Sequence, residues 1–170
     1  MKFSPALSIA LALGAIAVSS NVSAGAALSE KAQIEALENR FAAAFNAKDV
    51  DAIMKAYVPD QSLFVFDLVP PRQYVGAAAY RKDWQDFLAT FKGPIKFAIS
   101  DLDIYASGRL GYSHCIQHVT GTDTKGTPVD FTVRVTDVYR KIKGDWLIVH
   151  EHVSVPVNMD TGKPDLNSAP

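Results

Sequence analysis

The sequence predicts an α+β fold in which about three N-terminal helices pack on a mostly antiparallel sheet. Apolar residues recur at helical spacing after Leu28, whereas from Pro94 onward β-branched and aromatic residues dominate segments separated by short glycine-containing turns. A run of helices followed by a run of strands indicates a sheet that buries one face against the helices. At 170 residues, 48% hydrophobic and 21% charged, the chain has the size and composition of about one globular domain.

The N-terminus has the pattern of a secretory signal peptide. Lys2 supplies a positive charge, an uncharged apolar run covers 6–18, and Val22-Ser23-Ala24 offers the small residues that a signal peptidase requires. The apolar run is too short to span a bilayer core of roughly 30 Å comfortably. We therefore expect a periplasmic or secreted protein with three parts: a signal peptide at 1–24, a domain at 25–159 and a flexible polar tail at 160–170.

Charge and cysteine content exclude several function classes. A formal net charge of −1 gives no electrostatic footprint for nucleic acid or for an anionic membrane, so we expect neither as a partner. Cys115 is the only cysteine and cannot form a disulfide within the chain. Its neighbours alternate as in a strand, which favours a buried and inert thiol.

Capping and breaking residues bound the predicted elements. An apolar stripe predicts a helix over 28–47 with Ser29 or a neighbour as its cap, and Asp49 can cap a second, shorter helix that ends before Pro59. A third helix is expected after Gly76, at about 77–91. The predicted strands are 63–66, 95–106, 110–120, 129–142 and 146–155.

The last strand has the most informative polar pattern. Side chains alternate between the two faces of a strand, which places on one face Trp146, Ile148, His150, His152 and Ser154. The other face would carry Leu147, Val149, Glu151 and Val153. Because the first face runs from apolar to polar, we expect it to line a pocket with a dry floor and a polar wall.

Asp67 and Arg134 are the charged candidates for this pocket. Asp67 follows four apolar residues, and a carboxylate that faces an apolar cavity has a raised pKa suited to proton transfer. The alternative is a strand-end Asp that binds loop amides around Pro70. Arg134 lies between apolar neighbours and, if it points inward, needs an anionic partner such as Asp67 or a ligand carboxylate. The alternative for Arg134 is a solvated sheet face.

Histidines and aromatic residues complete the candidate site. The spacing of His150 and His152 suits metal binding or proton transfer, and His114 and His118 share a face of another strand. A meander keeps these two strands apart, so we expect no metal and no cofactor. Tyr57, Tyr74 and Trp84 have two alternative placements: they line the mouth of the pocket, or they pack in the core.

Several of these segments together resemble a known superfamily. They are Asn46-Ala47-Lys48-Asp49, Val65-Phe66-Asp67, Tyr74-Val75-Gly76 and the ending from Gly144 to His152. In this order they resemble the nuclear-transport-factor-2-like superfamily, in particular its SnoaL-like and ketosteroid-isomerase-like branch. The resemblance implies a conical barrel of strongly curved, mostly antiparallel sheet wrapped around the helices, a ligand pocket inside the cone and a homodimer formed through the sheet.

The resemblance also implies roles for single residues. Asp67 falls where steroid isomerases keep the general base. The tyrosine that would hold the oxyanion falls at Phe41, and the buried acid that assists it falls near Thr136, so steroid isomerisation itself is not expected. His150, His152 and Arg134 would provide a different set of donors.

We therefore expect an exported small-molecule-binding protein with acid–base chemistry, namely isomerisation, dehydration or cyclisation, on a small, partly apolar carbonyl or carboxylate compound. The expected catalytic residues are Asp67, His150 and Arg134, and the expected ligand contacts are His152, Tyr57, Tyr74, Trp84 and Ser154. The alternative is a non-catalytic ligand-binding or oligomerisation module of the same fold. The association domain of calcium/calmodulin-dependent kinase II is an example of an oligomerisation module with this fold. In a ligand-binding module, Arg134 of this chain would hold a small acid.

Overall fold

The computed structural model describes residues 28–168 and has three helices and six strands in this part of the chain. The helices are α1 Glu30–Asn46, α2 Val50–Met54 and α3 Ala77–Ala89. The strands are β1 Phe64–Phe66, β2 Tyr74–Val75, β3 Lys96–Ser107, β4 Leu110–Thr122, β5 Pro128–Ile142 and β6 Asp145–Ser154. The predicted α+β class is confirmed, and the predicted signal peptide lies outside the described residues.

One six-stranded sheet carries the fold, with the order β2-β1-β6-β5-β4-β3. The long strands β3 to β6 form an antiparallel meander, and β1 joins β6 in parallel. Helix α1 contacts β3 at one edge of the sheet and β6 near the other, so the sheet curls around this helix as an open cone. The predicted curved, mostly antiparallel sheet is therefore confirmed, without closure of a barrel among the described strands.

Local capping fixes where the first two helices begin. The Ser29 hydroxyl accepts the Ala32 N–H at 3.2 Å, and the Asp49 carboxylate accepts the Ala52 N–H at 2.9 Å. Each contact satisfies one of the free N–H groups of a first helical turn. The sequence identified both caps.

Aromatic residues from α1, α3 and β3 form the core at the wide end of the cone. Phe45 stacks on Phe97 with 4.1 Å between ring centroids, and Phe41 meets Trp84 edge to face at 5.7 Å. The Asn46 side chain ties the end of α1 to β3, since it donates to the Phe97 carbonyl and accepts from the Phe97 N–H. These contacts hold α1 against the sheet at the place where the cavity described below begins.

A β-bulge interrupts the pairing of β5 with β6. Val138 pairs with His150, but the next residue of β5, Tyr139, pairs with Ile148. Val149 is therefore an extra residue without its own partner on β5. An extra residue reverses the alternation of side chains beyond it, so the second half of β6 presents the opposite set of side chains to the interior.

The C-terminal segment returns to the sheet. Val157 forms a bridge with Pro164, and the Leu166 carbonyl accepts the Thr132 N–H of β5 at 2.7 Å. The residues predicted as a tail are thus described as far as Ser168, where they remain exposed to solvent. Within 28–168, the helices are all too short or too polar to cross a membrane.

Candidate functional site

A cavity of about 340 Å³ lies between α1, α3 and the inner face of the sheet. Its volume is near the lower end of the roughly 300–1,000 Å³ that ligand pockets usually have. The apolar part of its wall is formed by Phe41, Phe45, Trp84, Phe87, Val119, Phe131, Val133 and Val153. The polar part is formed by Asp67, Tyr80, Asp83, Asp86, Thr90, Gln117 and Glu151. The cavity therefore combines an aromatic wall with a strongly acidic one.

Asp67 stands at the end of β1 and lines the cavity while half-buried. Burial raises the pKa of its carboxyl, and the nearby Asp83 carboxylate raises it further. The carboxylate also accepts the Leu68 N–H, and its Oδ2 lies 3.2 Å from the Tyr80 hydroxyl. Asp67 therefore both binds a loop amide and lines the cavity.

Glu151 lies behind Asp67 on β6 and is only 3% exposed. The Tyr57 hydroxyl donates to its Oε2 at 2.8 Å, and the Tyr80 hydroxyl donates to its Oε1. Burial raises the pKa of Glu151 to about 7, and the two phenol hydrogen bonds act in the opposite direction. A carboxyl held in this way can carry or release a proton near neutral pH.

Tyr80 connects the two acids. Its hydroxyl is within hydrogen-bonding distance of both Glu151 and Asp67, but a phenol has a single proton and donates to one acceptor at a time. When Asp67 is protonated, its O–H can donate to the Tyr80 oxygen while Tyr80 donates to Glu151. The three side chains therefore form a continuous hydrogen-bonded path within the cavity wall, from the half-buried Asp67 to the buried Glu151.

Two further buried carboxyls extend this network. Asp137 is the direct cross-strand neighbour of Glu151, and burial followed by repulsion from Glu151 raises its pKa well above the usual range. Its Oδ1 has no hydrogen-bond partner among residues 28–168. Glu38 of α1 accepts the Tyr139 hydroxyl at 2.7 Å, and burial raises its pKa to about 7. Burial without a neighbouring cation therefore makes these three carboxyl groups bind protons more readily than exposed ones do.

The bulge at Val149 moves the predicted histidines out of the pocket. His150 and His152 lie on the outer face of the sheet, where they pack against Phe66 with ring centroids 5.6 and 5.5 Å away. The His150 Nδ1 lies 2.8 Å from the Phe64 carbonyl oxygen. The predicted inward placement of both histidines and of Ser154 is corrected, because unbroken alternation does not hold along β6.

Arg134 also lies outside. It is exposed on β5 and pairs in register with Ser154, between the buried residues Val133 and Val135. The expectation that Arg134 points into the pocket is therefore corrected in favour of the solvated sheet face. None of the described residues that line the cavity is a lysine, an arginine or a histidine.

The three aromatic candidates occupy different places. Trp84 lines the cavity, and its indole N–H has no hydrogen-bond partner within the described part of the chain. Tyr57 is buried behind the cavity and reaches it only through Glu151. Tyr74 is half-buried near the mouth, where its hydroxyl donates to Asp83.

The remaining histidines and the cysteine do not join the site. His114 is exposed, and His118 is exposed and pairs with Asp130 at 2.8 Å. Cys115 is buried at 3% exposure, as predicted, and burial raises the pKa of its thiol. Residues 28–168 contain no group of three or more histidine, cysteine or acidic side chains arranged to hold a metal ion.

A family model described as the SnoaL-like domain matches residues 34–158, which is most of the chain. The chain belongs to the SnoaL-like family. This SnoaL-like chain also resembles a nuclear-transport-factor-2-like protein of unknown function from Pseudomonas putida KT2440, with 28% identity, a TM-score of 0.74 and coverage of 82% of this chain and 96% of that one. A search of curated proteins gives no match.

Two more distant structures show the same fold. A superfamily member from Salmonella enterica serovar Typhimurium is 18% identical, with a TM-score of 0.68 and coverage of 79% of this chain and 96% of that one. A ketosteroid isomerase-like protein from Erwinia carotovora atroseptica is 20% identical, with a TM-score of 0.63 and coverage of 74% and 95%. The family match confirms the predicted SnoaL-like membership, and these two structures confirm the predicted fold.

Sequence reasoning missed Glu151, Tyr80 and Asp137. Glu151 carried a signal, since it is the one acid on a strand face that otherwise holds Leu147, Val149 and Val153. Asp137 is one residue beyond the position near Thr136 where the resemblance placed a buried acid. Tyr80 lay unrecognised among the apolar residues of α3, because only the contacts show what its hydroxyl meets.

Proposed function

We propose that this chain is an acid–base enzyme in which Asp67 removes a proton from a carbon atom of a small, largely apolar compound bound in the cavity. The main support is that Asp67 lines a cavity with aromatic residues, and that the Tyr80 hydroxyl is within hydrogen-bonding distance of both Asp67 and the buried Glu151. A carboxylate with a raised pKa in an apolar site is a stronger base than one in water, which suits it to this step.

The proposed reaction begins when Asp67 takes a proton from carbon next to a carbonyl group. The electron pair of the C–H bond moves towards the carbonyl oxygen, and the proton either returns at another carbon or accompanies loss of a leaving group. Gln117 lines the cavity and supplies an amide N–H donor for the developing negative charge. Isomerisation and dehydration both follow from this first step.

The acidic wall of the cavity limits which chemical classes of substrate can bind. A compound with a free carboxylate would meet Asp67, Asp83 and Glu151 without a basic partner in the cavity wall. The proposal is therefore restricted to carbonyl compounds, and a small acid held at Arg134 is no longer part of it.

The test is proton removal from 5-nitrobenzisoxazole. A base takes the C–H proton of this neutral probe, the N–O bond breaks, and a coloured phenolate forms. We expect wild-type protein and Asp145→Asn, which changes an exposed residue at the start of β6, to accelerate the reaction equally, and Asp67→Asn to fall to the rate of buffer.

The non-catalytic alternative has its own outcome in this experiment. If the probe binds to folded wild-type protein, shown by a change in tryptophan fluorescence, but is not converted, the chain is a ligand-binding module. Circular dichroism of Asp67→Asn establishes that any loss of rate does not come from unfolding.

We also propose that the protein is exported and forms a homodimer through the outer face of its sheet. The pattern of residues 1–24 supports export. Two tyrosines of this face, Tyr105 and Tyr112, are 50% and 45% exposed and stack on each other at 4.9 Å, which supports a contact surface there. Mass spectrometry of the secreted form and sedimentation equilibrium test the two proposals.

A further inference from the structure

The cavity wall is acidic in a way that the proposed proton transfer does not require. Four acids line it, and within residues 28–168 only Asp86 forms an ion pair, with Lys82 one turn earlier on α3. Asp67, Asp83 and Glu151 have hydrogen bonds to tyrosines but no ion pair within residues 28–168. One base would be enough for proton removal, so the other acids of the wall, which become negatively charged as the pH rises, call for another explanation.

Another part of the cavity wall is aromatic. Trp84 meets Phe41, Phe45 and Phe87 at centroid distances of 5.7, 5.3 and 6.0 Å, all edge to face. Phe131 packs on Phe87 and also lines the cavity. A cation within about 6 Å of an aromatic face is attracted to it, most strongly by tryptophan and when water is excluded.

We propose that the cavity takes an organic ammonium ion, with its cationic group between Asp67, Asp83 and Trp84 and its apolar body against the phenylalanines. The proposal rests on the proposed function in assigning a substrate class to the same cavity. A bound cation would offset the repulsion from Asp83 that raises the pKa of Asp67, whereas Lys82, the lysine that acts on Asp83, forms its ion pair with Asp86.

The acids and the aromatic residues of the wall together fit a small amine. The proton removal proposed above restricts this class to amines that carry a carbonyl group, such as a small aminoketone.

Three probes of nearly equal shape test the charge preference. They are (4-hydroxymethylphenyl)trimethylammonium, its neutral isostere 4-tert-butylbenzyl alcohol, and the anion 4-tert-butylbenzoate. In calorimetric titrations of the full-length protein at pH 8, we expect the cation to bind about tenfold more tightly than the neutral probe and the anion to bind least. Equal or tighter binding of the neutral probe, or of the anion, would overturn the proposal.

Asp83→Asn separates the charge from the shape of the cavity. The amide keeps an oxygen that can accept the Tyr74 hydroxyl, so the neutral probe should bind as before while the cation loses several-fold in affinity. Asp145→Asn removes the same charge far from the cavity and should leave all three affinities unchanged. An equal loss for the cation in both variants would point to net charge alone and contradict the site.

The outcomes also distinguish this inference from the proposed function. If Asp67 is required for conversion of neutral 5-nitrobenzisoxazole but the cation is not preferred, the proposed enzyme activity is supported and the ammonium substrate is rejected. If the cation binds tightly but 5-nitrobenzisoxazole is not converted, the ammonium site is supported and the proposed enzyme activity is rejected.

Discussion

The Tyr80 hydroxyl of α3 donates to the Glu151 carboxylate of β6 and lies 3.2 Å from Asp67, so one phenol joins two acids of the cavity wall, the half-buried Asp67 and the buried Glu151. Tyr57 holds the other oxygen of Glu151. The path Asp67, Tyr80, Glu151 is the feature on which the chemistry of the site depends, and each prediction below changes one part of it or its surroundings.

Tyr80→Phe removes the shared hydroxyl and keeps the ring. We expect the free energy of unfolding to fall by about 1–3 kcal/mol, because Glu151 loses a buried hydrogen bond. The pKa of Asp67 should rise further, since the Tyr80 hydrogen bond lowers it. Urea denaturation measures the first effect. Tyr74→Phe removes a hydroxyl at the less buried mouth and should destabilise less, so equal losses would contradict a special role for Tyr80.

The pH dependence of proton removal should report Asp67. The rate with 5-nitrobenzisoxazole should increase as pH rises through the pKa of Asp67, which burial and Asp83 place above the ordinary aspartate value. Asp83→Asn removes the repelling charge and should move the inflection to lower pH. A pH–rate profile of both proteins measures the shift, and an unchanged inflection would exclude electrostatic contact between the two acids.

Glu38→Gln should change how stability depends on pH. The pKa of Glu38 is raised to about 7 in the folded state, above its value of 4.5 in an unfolded chain, so the native state binds the extra proton between these values. The stability that this proton provides is complete below about pH 4.5 and is lost as pH rises through 7. Urea denaturation from pH 4 to 8 should show a smaller decline in the glutamine variant, and an identical decline would contradict the assignment.

Substitutions on the outer face test the corrected site. His150→Ala, His152→Ala and Arg134→Ala should each leave the affinity for a cavity ligand unchanged within about twofold, because these side chains are separated from the cavity by the sheet. Titration with 4-tert-butylbenzyl alcohol is a suitable measurement. A loss of binding in the His150 variant would restore the inward placement that the sequence predicted.

Much of the fold could be predicted because it depends on local signals. Ser29 and Asp49 cap helices with their own side chains, and Gly76 precedes α3 at a φ of +87°, a conformation that favours glycine. The strands follow from their β-branched and aromatic residues. The boundaries of α3 and β3 to β6 lie within a few residues of the expected ones.

The candidate site was predicted only at Asp67 and Trp84, which the structure places in the cavity wall. Asp67 could be found because its position follows from the end of an apolar strand. His150 and Glu151 could not be assigned to faces, since the assignment depends on a bulge whose position is set by pairing with residues far away in the sequence. The role of Tyr80 depends on contacts across the whole cone.

The unpaired Val149 therefore decides more than the local shape of one strand. The tripeptide His150-Glu151-His152 contains two imidazoles and a carboxylate. The register of β5 with β6 determines which of these side chains points to the interior. Relatives that accommodate their surplus residue elsewhere would expose the other functional groups to the same hollow. A sequence alignment alone would then assign the wrong residues to the cavity of a homologue.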